Sequence, residues 1–315
     1  MHFVILKTLA PIFIVIGFGF FAGRQGIIDN KHVGALNALV MTFALPASLF
    51  VAMATTARRD MLQEGQLFLL LGVVMLAFYV VWYFVERHLN KAPRAEAAVQ
   101  ALVVAFPNCA AGLPLVVAVL GAVGTVHVAV ALAAGSILTV PATIFLLELS
   151  RPESGADRAA ANPRPGLALR RAFTKPIVLA PVLGMLTSLS GIKLSPLVTG
   201  PLDLIGQAGG GTAAFLTGLV LSGLPFVLNP QVGIATIATN ILQPLAVFGL
   251  AKLLGTPPEI AKPAILIAAL PAGFFGILFG VSYHANSKES GSTVLSSTVL
   301  SALTLAGVID WLYPS

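Results

Sequence analysis

Residues Ala105–Leu115 read AFPNCAAGLPL and sit in the middle of an otherwise largely apolar stretch from Ala97 to Gly121. A stretch of that length crosses a bilayer, because about 20 residues at 1.5 Å rise span the hydrocarbon. Pro107, Asn108, Gly112 and Pro114 lie near its centre. Each proline removes a backbone donor and crowds the preceding turn, so the helix is predicted to break there. Lipid offers no partner to the peptide groups that a break frees, so the break should face protein or a wet cavity.

Most of the chain shares that solvent. Of 315 residues, 57% are hydrophobic and only 10% are charged, and the mean hydropathy is +0.94. A soluble domain carries about 25% charged residues. The net charge of +6 comes from basic residues scattered through loops. They form no basic helix, zinc spacing or RNA-binding signature, so they are read as topological charge and not as a nucleic-acid surface. The single cysteine, Cys109, excludes an internal disulfide and lies mid-span, where a thiol usually packs. The N-terminal stretch, with no small-residue cleavage site after it, is read as a retained first span and not as a signal peptide.

About ten spans are predicted, making an all-α membrane protein. They are Thr8–Gly23, Val33–Ala54, Leu67–Val85, Ala97–Gly121, Thr125–Leu147, Pro176–Leu194, Pro201–Phe226, Gln231–Leu254, Ile260–Tyr283 and Ser292–Leu312. The seventh is the poorest helix former, because it contains Gly209-Gly210-Gly211. The polar segment Ser150–Lys175 is the one clear change in composition, a loop or short surface helix. It divides the chain into residues 1–149 and 176–315, with five spans each.

Loops after the odd-numbered spans hold 12 of the 18 Lys and Arg residues. That excess places them, and the central segment, in the cytoplasm, with both termini outside. With five spans per half, the second half enters the membrane in the opposite sense, so any internal repeat is inverted. Ala105-Phe106-Pro107 followed by Gly112 matches Ala269-Leu270-Pro271 followed by Gly276, both 164 residues apart, each in the fourth span of its half.

Two interrupted helices at matching positions should meet near the bilayer midplane, the usual pointer to a transporter site. Each break presents a half-helix N-terminus whose unpaired N–H groups favour an anion such as a carboxylate. No Lys or Arg is needed near either break, and none is there; Lys262 sits at the far end of its span. Pro107, Asn108, Cys109, Gly112 and Pro114 in the first break, and Pro271, Gly273 and Phe274 in the second, are the candidate binding residues. Asn108 reads either as a ligand group or as a cap for freed backbone, and Pro271 either as a break or as a kink. Phe274 and Phe275 read as pocket lining or as packing. Pro46, in Ala44-Leu45-Pro46 of the second span, joins the candidates. Its equivalent 164 residues on is Gly210, and both points are predicted helix irregularities, with a plain kink fitting Pro46 equally. Asp203 and His127, ionisable and within spans near the outer end, are candidates for proton coupling.

No nucleotide-binding loop and no metal-ligand cluster appears, so neither ATP-driven transport nor a cofactor or metal is expected. Cys109 with His127 is the one nucleophile–base pair that an intramembrane enzyme would have.

The chain resembles the auxin efflux carrier family nearly end to end. The resemblance rests on LAPIF in the first span, Asn37 and FALPASLF (Phe43–Phe50) in the second, and Asn108 with GLPL (Gly112–Leu115) in the fourth. It continues in AALPAG (Ala268–Gly273) and STVLSS (Ser292–Ser297). It implies ten helices in two inverted five-helix repeats, with the broken fourth and ninth crossing at their prolines. Helices one, two, six and seven would form a scaffold, often a dimer interface, and the rest a moving transport domain. It also implies an organic-anion substrate bound around Asn108, Pro107 and Pro271. The short central loop sets the chain apart from the plant carriers. The expected function is therefore secondary transport of a small carboxylate across a bacterial inner membrane, with a passive channel or a sensor on the same fold as the alternative.

Overall fold

The computed structural model describes residues 2–29, 33–150, 165–285 and 287–314. Residues 151–164, most of the predicted central loop, lie outside them. Among the described residues the chain is helical and has no strand. In order these are α1 (His2–Arg24), α2 (Val33–Ala54), α3 (Arg58–Gln63), α4 (Gly65–Leu89), α5 (Arg94–Ala105), α6 (Cys109–Leu120) and α7 (Val123–Glu148). There follow α8 (Pro165–Thr174), α9 (Pro176–Ser190), α10 (Pro196–Ser222), α11 (Pro230–Leu253), α12 (Pro258–Ala268), α13 (Phe275–Tyr283) and α14 (Lys288–Leu312).

Six of these, α2, α4, α7, α10, α11 and α14, are each long and apolar enough to cross a membrane. Helices α8 and α9, bent by 56° at Lys175, make a seventh if taken as one span. The chain is a multi-pass membrane protein. Its helix starts follow local chemistry. Ser195 and Asn229 accept from the backbone N–H groups of Leu197 and Val232, and each is followed by a proline at the first helical position, where no N–H is missed.

Two prolines within spans follow a widened turn of helix. In α2 and α11 a widened π turn, Val40–Ala44 and Ala238–Leu242, comes just before Pro46 and Pro244. The extra residue takes up the clash and the lost donor without ending the helix. The predicted irregularity at Pro46 is therefore present as a π turn. The one predicted at Gly210 is not. Helix α10 starts earlier than expected, at Pro196, and runs unbroken for 27 residues through the glycine run. Packing outweighs the low propensity, because Gly206 and Gly209 lie against Ser48 and Ala44 of α2.

Helix packing sorts into two groups. In the first, α1 lies along α10, α9 along α2, and α2 along α10. Gly19 and Gly218 make the α1–α10 approach possible. A Cβ on Gly19 would overlap the Phe215 carbonyl, and one on Gly218 the Ile16 carbonyl. Such small-residue contacts are how membrane helices come close without a hydrophobic drive between them. In the second group α4, α5, α6 and α7 pack together, α11 packs on α12 and α14, and α5 packs on α13.

Contacts at helix ends show which ends share a face. On one face Glu86, near the end of α4, accepts from Trp82 Nε1 (3.0 Å), Asn90 Nδ2 (3.1 Å) and Gln231 Nε2 (2.7 Å) at the start of α11. There too Glu148, ending α7, accepts from Tyr283 Oη (2.8 Å), ending α13, and pairs with Arg171 of α8 (3.0 Å). On the other face Glu64, opening α4, meets His127 Nε2 at 3.1 Å near the start of α7. Ser188 of α9 donates there to the Thr56 carbonyl just after α2, at 2.7 Å.

Candidate functional site

Helices α5 and α6 are 12 residues each and α12 and α13 are 11 and 9, so each covers about 14–18 Å, roughly half the hydrocarbon thickness. Each pair is interrupted by a short non-helical stretch, 106–108 in one and 269–274 in the other. The two stretches meet. Pro107 and Ala272 form an isolated antiparallel bridge, and the Asn108 N–H donates to the Pro271 carbonyl at 2.8 Å. The joint is main chain to main chain.

Glycines admit this approach. A Cβ on Gly273 would strike the Phe106 carbonyl, one on Gly112 the Leu270 side chain, and one on Gly276 the α5 backbone at Val99. Phe106 stacks on Phe275 at 5.0 Å between ring centroids, and its other side abuts Gly135 of α7. Pro107, Asn108, Cys109, Pro271, Gly273 and Phe274 are all buried; Pro114, further along α6, is exposed. Phe275 is packed against both Phe106 and Phe274.

Helix α11 satisfies the backbone that the first break frees. Gln243 Nε2 donates to the Ala105 carbonyl at 2.7 Å and Thr239 Oγ1 to the Val104 carbonyl at 3.2 Å, closing the C-terminus of α5. Gln243 Oε1 is buried without a partner. At the second break Ser297 of α14 accepts from the Ala272 N–H at 2.8 Å, while its own hydroxyl donates to Asn240 Oδ1. The irregular part of α11 ahead of Pro244 thus serves the crossing through Thr239, Asn240 and Gln243. Asn240 and Gln243 were visible as polar residues in an apolar span. Thr239 and Ser297 carry no such signal, since a lone hydroxyl in a helix usually bonds its own preceding turn.

The electrostatics come from backbone. No Asp, Glu, Lys or Arg occurs from Ala97 to Ala122 or from Pro263 to Ser282. The N-termini of α6 and α13 both begin at the crossing, where first-turn N–H groups lack intrahelical acceptors and carry partial positive charge. That arrangement favours an anion without a buried countercharge.

Pro46, Asp203 and His127 are not at the joint. Pro46 is buried in α2 among the first group of helices. His127 is buried and faces Glu64, so it is not a base beside Cys109. Asp203 is exposed on α10. Helical spacing places Asp203, Gln207, Ala214, Thr217 and Leu221 on one stripe. Leu221, at the far end, touches Gly291 of α14 in the second group. Ala214, Thr217 and Leu221 are buried while Asp203 and Gln207 are exposed, so the second group covers only part of this stripe.

The family described as "Membrane transport protein" matches residues 4–309. "Uncharacterized transporter YfdV" of Escherichia coli (strain K12) is 30% identical, over 98% of this chain and 97% of its own length. A Rhizobium meliloti (strain 1021) protein named "Putative malonate transporter" is 24% identical, over 97% of this chain and 95% of its own. The family and these relatives are transporters and not enzymes. With a match that runs from the first helix to the last and takes in both broken helices, the chain belongs to the membrane transport protein family, that of the auxin efflux carriers.

Proposed function

We propose that the protein is a secondary carrier of a small organic anion, a mono- or dicarboxylate, that binds where the two broken helices cross. The observation that carries this is the joint itself: α6 and α13 start at one buried point, held by the Asn108–Pro271 bond, with no fixed charge nearby. A carboxylate there would take hydrogen bonds from first-turn N–H groups and from the Asn108 side chain. The name of the Rhizobium meliloti relative makes malonate the first candidate to test.

The proposed architecture is ten membrane-spanning units in two inverted repeats, residues 1–149 and 176–315, linked by the segment 150–175. Paired contacts support it. Gly19 lies against the Phe215 carbonyl and Gly184 against the Phe50 carbonyl, and both members of the second pair are 165 residues from their counterparts. The prolines at the joint are 164 apart. The end contacts also fit spans of alternating direction. In the proposed mechanism α1, α2, α9 and α10 form a scaffold, and a second copy binds through it. The remaining helices slide past it as one body, carrying the joint from one side to the other. Burial of Asn108 and Pro271 fits an occluded conformation, with access requiring that movement. Asp203, on the partly uncovered stripe of α10, and the His127–Glu64 pair are the proposed coupling groups. The membrane is proposed to be a bacterial inner membrane, with both termini outside.

Purified protein in liposomes tests the function. Saturable uptake of a labelled carboxylate, with counterflow from preloaded vesicles, is expected. Linear, unsaturable flux would instead mark a passive pore. Asn108→Ala should reduce uptake at least tenfold while leaving the melting temperature nearly unchanged, because the bridge uses the backbone N–H of residue 108 and survives the exchange. Wild-type uptake by this variant would remove Asn108 from the substrate site.

A further inference from the structure

Away from the crossing, a cavity of about 470 Å³ lies among the C-terminal turns of α11 and α14 and the first turns of α12. Its lining is mostly apolar, with Ile265, Ala261 and Leu312 among the walls and Phe248 and Trp311 beside them. Lys252 and Lys262 both border it. Lys252 Nζ lies 5.2 Å from the centre of the Phe248 ring and Lys262 Nζ 5.3 Å from that of Tyr313, while Phe248 meets Trp311 edge-on at 4.9 Å.

Three observations define what such a cavity takes. Its volume is within the range of small-ligand sites. Among the described residues, its two ammonium groups have no carboxylate within ion-pair distance. The nearest acids in sequence, Glu259 and Asp310, are exposed and pair with neither lysine. Its depth is fixed by its position at the last turns of two membrane-crossing helices, which is the headgroup level, where Trp, Tyr and Lys anchor proteins to the interface. An apolar floor under a pair of cations at that depth is complementary to an anionic amphiphile and not to a fully hydrated ion.

We propose that this cavity binds the phosphodiester headgroup of an anionic lipid. The phosphate lies between Lys252 and Lys262, and the glycerol and upper acyl chain rest on Ile265 and Leu312. The bound lipid ties α11 and α14, which carry the groups that close the two breaks, to α12, which leads into the second break.

Thermal shift of the full-length chain in lipid-free detergent tests this with three probes: phosphatidylglycerol, phosphatidylcholine and glycerol 3-phosphate. Phosphatidylglycerol should raise the melting temperature, because a ligand that binds only the folded state stabilises it. Phosphatidylcholine and glycerol 3-phosphate should raise it far less. In the Lys252→Gln/Lys262→Gln double variant the concentration of phosphatidylglycerol needed should rise at least about tenfold, since each cation at a membrane surface is worth about 1 kcal/mol toward anionic lipid. An equal response to phosphatidylcholine overturns the proposal, as does an unchanged response of the double variant. A full response to glycerol 3-phosphate overturns the lipid in favour of a free anion. Should the double variant melt lower without lipid, the two single variants decide: each must respond more weakly than the wild type, and a full response from both overturns the site.

Discussion

Gly273 and Gln243 show how little tolerance the crossing has. At Gly273 the neighbouring chain occupies the space that a side chain would need, and the obstacle is the Phe106 backbone, which has nowhere to retreat. Gly273→Ala should cost about 1–3 kcal/mol through overpacking and displace the Pro107–Ala272 bridge. A lowered melting temperature together with lost uptake is the expected result. Gln243 is a different case, because its amide closes the end of α5 from another helix. Gln243→Leu keeps the volume but leaves the Ala105 carbonyl buried and unpaired, at about 1–3 kcal/mol. The melting temperature should fall by several degrees, and by much more than for Asn108→Ala. Asn108 was readable from sequence because a polar residue between two prolines at membrane depth needs an explanation. Two partners of the joint, Thr239 and Ser297, were not. Thr239 reaches Val104 across 135 residues of chain and Ser297 reaches Ala272 across 25, and nothing in a linear pattern links them.

At the scale of helices, the sequence pattern located the spans well and their ends less well. Apolar length set α2, α4, α7, α11 and α14 to within a few residues. The glycine run misled for α10, since propensity measured in water counts for little where Gly206 and Gly209 are needed to bring α2 close. Helix α9 is only 15 residues long, shorter than the predicted span, because Gly191 ends it in the left-handed conformation at φ 75°. Among the contacts between the two helix groups is a side-chain hydrogen bond: Asn37 Nδ2 of α2 donates to the Leu278 carbonyl at 2.9 Å and to Ser282 Oγ at 2.8 Å, both on α13. If one group slides past the other, this contact must break in each cycle. Joining Asn37→Cys to Ser282→Cys by mild oxidation should therefore stop uptake, and reductant should restore it. Cys109 is buried and will not compete. Wild-type uptake by the oxidised protein would mean that α2 and α13 stay together throughout.

For the molecule as a whole, composition alone fixed the solvent. What composition does not hold is which helix lies beside which. The pairing of α1 with α10 and of α2 with α9 depends on where single glycines fall on a helix face. Glu64 and Glu86 were equally hidden, because a carboxylate near a span end reads as a surface charge until its partners, His127 in one case and Trp82, Asn90 and Gln231 in the other, are seen to enclose it.

The bridge between residues 107 and 272 is knotted through peptide groups that every amino acid but proline supplies in full. Its survival does not depend on which side chain follows Pro107. If cargo binds at the joint as proposed, a lineage that inherits this frame is free to exchange the groups around it one at a time, changing what it accepts while the frame stays as it was.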